Sequence, residues 1–295
     1  MMLAKKGDDA RKNDASIIAF KHFREQESPM SYTFKPIQLD DISNLVDDYI
    51  QTLSSPIESF LEYHILNSQL YVISSPLSET VGYFGIYKEK LLTQFYLCAS
   101  DLKEGQTIFS EILSHYAVET AFIPTCDELF LSYALDQETT FSKQAYFFQD
   151  NKESGMKIEG YQDAEFRRAT LADVADIRQI SGDYFDELEE SVTRDELFVL
   201  RDGDILLGIG VSEMGRILKG YSSVGMFVNE QFRRRGIGRN IILRLKEWSY
   251  AQGQIPVAGC NYYNINSKKT LESAGMITKT RLLKVEFSVN SNSGE

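Results

Sequence analysis

One pattern of apolar and polar positions runs along this chain twice. From Phe34 the sequence reads Phe-Lys-Pro-Ile-Gln-Leu39-Asp-Asp41-Ile-Ser-Asn-Leu45. From Phe166 it reads Phe-Arg-Arg-Ala-Thr-Leu171-Ala-Asp173-Val-Ala-Asp-Ile177. Phe, Leu and Asp recur 132 residues apart. Each passage predicts a short strand, a polar cap and an amphipathic helix. The parallel continues through strand-like runs, Leu70-Tyr-Val-Ile with Leu197-Phe-Val-Leu and Val81-Gly82-Tyr-Phe with Leu207-Gly208-Ile-Gly. The strands Gln94–Cys98 and Ser223–Val228 come next, then helices near Thr107–Ala117 and Arg239–Ala251. A further strand is expected at Glu128–Tyr133 in the first copy and at Pro256–Cys260 in the second. A short helix and a closing strand complete each.

The repeat is too long for a solenoid. It predicts an α/β fold, α+β in the sense of a mixed sheet, built from two like domains in tandem. The expected division is an extension over 1–30, a first domain over 31–155 and a second over 156–295. The boundary falls near Asp150–Gly160, a polar stretch with two glycines. The extension is polar apart from a patch at Ile17, Ile18, Phe20 and Phe23, and no function is assigned to it.

Composition narrows the function classes. At 43% hydrophobic and 12% aromatic residues the chain can fill two cores. No apolar run approaches ~20 residues, so no membrane span is expected, and the charged first residues do not read as a secretory signal. Cys98, Cys126 and Cys260 match no zinc spacing, and the histidines His22, His64 and His115 are too sparse for a metal site. No metal is expected, and a reducing, cytoplasmic location is. A net charge of −12 argues against a nucleic-acid partner and for a cationic acceptor.

Against that acidic background one segment reverses sign. Val224-Gly-Met-Phe-Val-Asn-Glu-Gln-Phe-Arg233-Arg-Arg-Gly236-Ile-Gly238-Arg-Asn-Ile-Ile-Leu-Arg-Leu-Lys-Glu-Trp248 reads strand, loop, helix. Ile241, Ile242, Leu245 and Trp248 share one helical face. Two glycines stand where strand meets helix, so the backbone can approach a ligand closely. A helix N-terminus offers unpaired N–H groups and the positive end of the helix dipole. Successive N–H groups can cradle a pyrophosphate, and Arg233, Arg234, Arg235 and Arg239 add charge. The alternative is a solvated basic cap with ordinary glycines. A Walker A loop is excluded because no Gly-Lys-Ser/Thr follows, and G-x-G-x-x-G is absent.

Arg233-Arg-Arg-Gly236-Ile-Gly238 resembles the R/Q-x-x-G-x-G/A signature of the GNAT superfamily of N-acetyltransferases. Downstream, Asn264-Ile-Asn-Ser267-Lys-Lys-Thr-Leu271-Glu-Ser-Ala-Gly275-Met276 resembles that family's N-x-x-A/S-x-x-x-Y-x-x-x-G-F segment. The resemblance follows element order over residues 163–290. It implies two GNAT-fold domains, the second binding acetyl-CoA as cosubstrate. Arg233, Arg234, Arg235, Gly236, Ile237, Gly238 and Arg239 would hold the pyrophosphate. The backbone of Met226, Phe227 and Val228 would pair with the pantetheine arm, and Asn264 would contact the cofactor; its other reading is a helix cap. The implied reaction is acetyl transfer to a primary amine of a small molecule or peptide.

Three departures bear on catalysis. Leu271 stands where many members carry a general-acid Tyr, and Ser222 and Gly259 stand where some carry a general-base Glu. The catalytic residues are therefore unknown at this level. Tyr262, Tyr263, Cys260 and Glu213 are candidate substitutes, each with an ordinary packing alternative. In the first copy the cradle counterpart reads Leu102-Lys-Glu-Gly105-Gln-Thr107, with Leu for Arg and Thr for the second Gly. Leu135 aligns with Asn264. That copy is expected to keep the fold without the site. Two other functions fit the pattern: a non-catalytic acyl-CoA-binding sensor, and an aminoacyltransferase of the tandem-GNAT type.

Overall fold

The structure is a computed structural model that describes residues 32–152, 158 and 160–288; the 1–30 extension lies outside them. Its first half runs β1 (Thr33–Ile37), α1 (Ser43–Thr52), α2 (Ser59–Leu66), β2 (Gln69–Ser74), β3 (Thr80–Tyr87) and β4 (Leu91–Leu97). It ends with α3 (Gly105–His115), β5 (Thr120–Pro124), α4 (Glu128–Leu135) and β6 (Thr139–Asp150). The second half repeats that order. It runs β7 (Glu165–Arg168), α5 (Val174–Ser181), α6 (Leu188–Thr193), β8 (Leu197–Asp202), β9 (Ile205–Met214) and β10 (Tyr221–Val228). Then come α7 (Ile237–Ala251), β11 (Ile255–Asn261), α8 (Ile265–Ser273) and β12 (Met276–Phe287).

All twelve strands form one mixed sheet in the order β1-β2-β3-β4-β5-β12-β6-β11-β10-β9-β8-β7. The halves exchange their closing strands. β6, from the first, pairs with β11, and β12, from the second, pairs with β5; β6 and β12 also pair with each other. Apolar residues alternate between the faces. Ala145 and Phe147 of β6 join the cluster under α1 and α2, while Tyr146 and Phe148 join the cluster under α7 and α8. In β8, Leu197 and Val199 pack with α5 and α6, and Phe198 and Leu200 with α7. One face therefore carries α1, α2, α5 and α6, and the other α3, α4, α7 and α8. Among the described residues no helix is long and apolar enough to cross a membrane.

Among the described residues two strand pairs are parallel, and both are short. β4 meets β5 at Leu91 and Leu92, and β10 meets β11 at Tyr221, Ser222 and Ser223. Beyond those positions the strands part while each stays paired on its other side. Each half thus holds a wedge-shaped cleft within the sheet, opening at the N-terminus of α3 or of α7.

One expected element is of the wrong type. Glu128–Tyr133 was expected as a strand and lies in α4; the strand is β5. The run Glu-Leu-Phe-Leu-Ser-Tyr-Ala-Leu is apolar almost throughout, so periodicity could not separate the two readings. Asp127 decides it by capping the helix, its carboxylate accepting the Phe130 N–H at 3.0 Å. Phe130, Tyr133 and Ala134 then face the core. The counterpart of Asn264 is therefore Asp127, the cap of the equivalent helix. Leu135 is the last residue of α4 and is exposed.

Candidate active site

The second cleft is built from the loop between β10 and α7. Asn229 holds the end of β10, its side chain donating to the Leu206 carbonyl and accepting from the Gln231 N–H. The backbone then turns with Arg234 at φ 65° and Gly236 at φ 81°. Gly236 tolerates that geometry without cost, and open space surrounds its missing side chain. α7 begins at Ile237, anchored by Ile237, Ile241, Ile242 and Leu245, all in the core. The Asn240 N–H is bonded to the Gly236 carbonyl, and the N–H groups before it lie in the helix's first turn, beyond reach of any intrahelical carbonyl.

Gly238 is buried. An added Cβ would stand 3.0 Å from Thr270 Cγ2 and 3.4 Å from Val228 Cγ2. The glycine thus lets α8 and β10 close on the helix start. This geometry fits an anionic ligand: a helix dipole, a glycine at the entrance and, among the described residues, open space beside Gly236.

The arginines are less convergent than their sequence suggests. Arg233 bonds Glu230 at 2.7 Å and the Val228 carbonyl, and it lies over the Phe227 ring. Arg235 lies over Phe232. Arg239 donates to the Ser273 carbonyl. Arg234 is exposed at the turn. Met226, Phe227 and Val228 pair with β9 on one side only, since the β10–β11 register ends at Ser223. Asn264 caps α8 by accepting the Ser267 N–H at 3.1 Å and is exposed.

The departures seen in sequence are structural facts. Leu271 is buried in the core between α7 and α8. The Ser222 hydroxyl bonds that of Ser249 at 2.7 Å in the interior. Among the substitutes, the Cys260 thiol is pushed up to about 11, by burial first and then by Glu58, and stays protonated near neutrality. Tyr263 is exposed. Tyr262 stacks on Tyr146, with ring centroids 4.6 Å apart. The Tyr146 hydroxyl, then Lys143 and Arg281, draw the Tyr262 phenol below its ordinary value.

Sequence reasoning missed the most unusual group in the cleft, Glu58. It caps α2 of the first half, accepting the Phe60 N–H at 3.1 Å. The cap docks across the halves, with the Ser59 N–H 3.4 Å from the Ser223 hydroxyl. The carboxylate lies on Gly259 of β11, where an added Cβ would stand 2.5 Å from Glu58 Cδ and 2.7 Å from Oε2. Burial pushes this carboxyl up to about 7; the Phe60 N–H opposes the shift and Glu213 adds to it. Glu213 faces Ser223 across the β9–β10 ladder and is also raised, chiefly by burial. One helical turn on, Glu62 accepts the N–H groups of Arg216, Ile217 and Leu218 at 2.6–3.0 Å and so locks α2 to the second half. No sequence signal marked Glu58, because it lies 201 residues before Gly259.

The first cleft is closed. Tyr133 lies on Gly105, where any Cβ would collide with its ring, and its hydroxyl donates to the Leu102 carbonyl at 2.9 Å. Tyr133 and Thr270 each lie six residues beyond their helix cap. Gly105 therefore holds against α4 the place that Gly238 holds against α8. Spacing along the sequence aligns Gly105 with Gly236 instead, since spacing carries no helix contact.

Residues 38–151 match a family model described as an acetyltransferase (GNAT) domain. The match falls on the half with the closed cleft. No curated protein matches the chain. Among solved structures, an acetyltransferase of the GNAT family from Colwellia psychrerythraea superposes with a TM-score of 0.77 at 19% identity, over 87% of this chain and 100% of that one. A GCN5-related N-acetyltransferase from Sphaerobacter thermophilus gives 0.61 at 12%, over 87% and 95%. A tandem GNAT protein from the clavulanic acid biosynthesis pathway, solved without AcCoA, gives 0.59 at 11%, over 87% and 98%. The fold is thus the mixed α/β fold of GNAT acetyltransferases.

Proposed function

We propose that the chain is a tandem of two GNAT-fold halves that transfers an acyl group, acetyl in the first instance, from coenzyme A to a primary amine. The observation that carries this reading is the open start of α7 beside the parted strands β10 and β11, set against the closed start of α3. The first-turn N–H groups, with Arg234 at the turn, would hold the pyrophosphate. The free edge of Met226–Val228 would align the pantetheine arm, and the Asn264 amide would bond along it. Bound there, the thioester supplies an activated acyl group, and the chain's part is to position it and the amine. The acidic surface favours a cationic acceptor.

A second reading, a non-catalytic acyl-CoA sensor, draws support from the burial of Leu271 and Ser222, which removes the family's usual acid and base. Thiol release from acetyl-CoA across a panel of primary amines separates the two. The transferase reading expects at least one amine to raise the rate well above hydrolysis. Tight acetyl-CoA binding with no amine-dependent release would instead establish the sensor.

A further inference from the structure

We infer that Glu58, contributed by the first half, is the catalytic base of the second half's acyl transfer. The inference rests on the acyltransferase reading above and assigns a residue within the same site.

Position is the first ground. Beyond Ser223 and Val257 the strands β10 and β11 separate, and Gly259 lies two residues into that opening. The Glu58 carboxylate occupies the space a side chain on Gly259 would fill. Neither Gly259 nor Ser223 brings a carboxylate into that opening, and the other half supplies one.

Rigidity is the second. Glu58 Oε1 is fixed by the Phe60 N–H, and its backbone is fixed by the Glu62 bonds one turn later. Beside it a cavity of about 10 Å³, lined by Glu58, Glu213, Tyr221 and Ser223, has close to the room of one water molecule. A proton can therefore reach the carboxylate through one water.

Charge is the third. The groups facing Glu58 are Glu213 from β9, Tyr221 and Ser223 from β10, Cys260 from β11, and Ser59 and Glu62 from its own helix. All are acidic or neutral. Such a pocket attracts an ammonium group and favours proton uptake from it. The carboxyl titrates near 7, where a base is both available and strong enough to act.

The step balances. An ammonium R–NH3+ gives one proton to the Glu58 carboxylate, and the freed lone pair forms the C–N bond to the acyl carbon. The C–S bond breaks, with its electron pair leaving on sulfur, and a second proton passes from nitrogen to that thiolate. The products are the amide, the free thiol and protonated Glu58.

The test uses the full chain and two variants, Glu58→Gln and Glu213→Gln. Acetyl-CoA binding is followed by calorimetry, and thiol release with the best amine of the panel is followed from pH 5.5 to 9. Glu58→Gln should bind acetyl-CoA as wild type does and lose about 10²-fold or more in kcat. The wild-type rate should rise with pH through about 7, and that limb should vanish in Glu58→Gln. In Glu213→Gln the limb should move to lower pH, because a charge that raises the Glu58 carboxyl is gone. A Glu58→Gln protein that keeps its kcat and its limb overturns the assignment and leaves the transferase reading intact. A wild-type protein that binds no acetyl-CoA overturns both. Should no amine turn over, carbon-13 carboxyl titration decides: a Glu58 signal titrating in the ordinary carboxylate range overturns the assignment.

Discussion

At the scale of single residues the proposed site turns on two positions, Gly236 and Glu58. Gly236 adopts a left-handed turn that costs it nothing. Glu58 is an acid held where its charge is disfavoured. Its folded-state value of about 7 lies above the reference 4.5, so the folded chain holds this proton more tightly than the unfolded chain. The stability it lends is full below about 4.5 and is lost as pH rises through about 7. Glu58→Gln, which can still cap α2, should therefore be more stable than wild type at pH 8, by up to about 3 kcal/mol. The gap should close toward pH 5. Urea unfolding at the two pH values reads this directly. A variant less stable than wild type, by the same amount at both, would mean that Glu58 acts only as a cap.

At the scale of elements, one contact separates an open cleft from a closed one. α3 and α7 each carry a glycine in the first turn, Gly105 and Gly238, facing the helix that follows the next strand. The residue opposite is Tyr133 in one half and Thr270 in the other. Tyr133 packs on Phe95 and Phe109 and bonds the Leu102 carbonyl, so it is both filler and strut. Tyr133→Ala should cost about 3–5 kcal/mol, as for other buried aromatics, and thermal unfolding would register that loss. A change under about 1 kcal/mol would mean that Tyr133 is not what closes the first cleft. The open cleft was legible in sequence because glycines, basic residues and an amphipathic helix sit within one short segment. The closed cleft was legible only in part. Leu102 and Thr107 depart from the second half's pattern, but the residue that fills the cleft, Tyr133, lies on α4, for which the apolar pattern predicts a strand. A continuous apolar run carries no period, and the cap at Asp127 was the signal that could have settled it.

At the scale of the molecule the halves are not separable units joined by a linker. β6 and β12 are exchanged, so each half's sheet ends in the other, and α2 reaches across, carrying Glu58 to the second cleft and Glu62 to the segment before β10. The repeat was plain in the sequence because both copies keep the same strand and helix periods. The exchange was not, because strand pairing between distant segments leaves no local mark, and for the same reason Glu58 escaped notice. The division of labour, with one cleft filled and one completed by its neighbour, predicts a single coenzyme A site per chain. Calorimetric titration of the full-length protein with acetyl-CoA tests this most directly. The account predicts one site per chain, lost in Gly236→Asp, where the left-handed turn is strained by a side chain and the new carboxylate repels a pyrophosphate. Two sites per chain, no binding, or unchanged affinity in Gly236→Asp would contradict it.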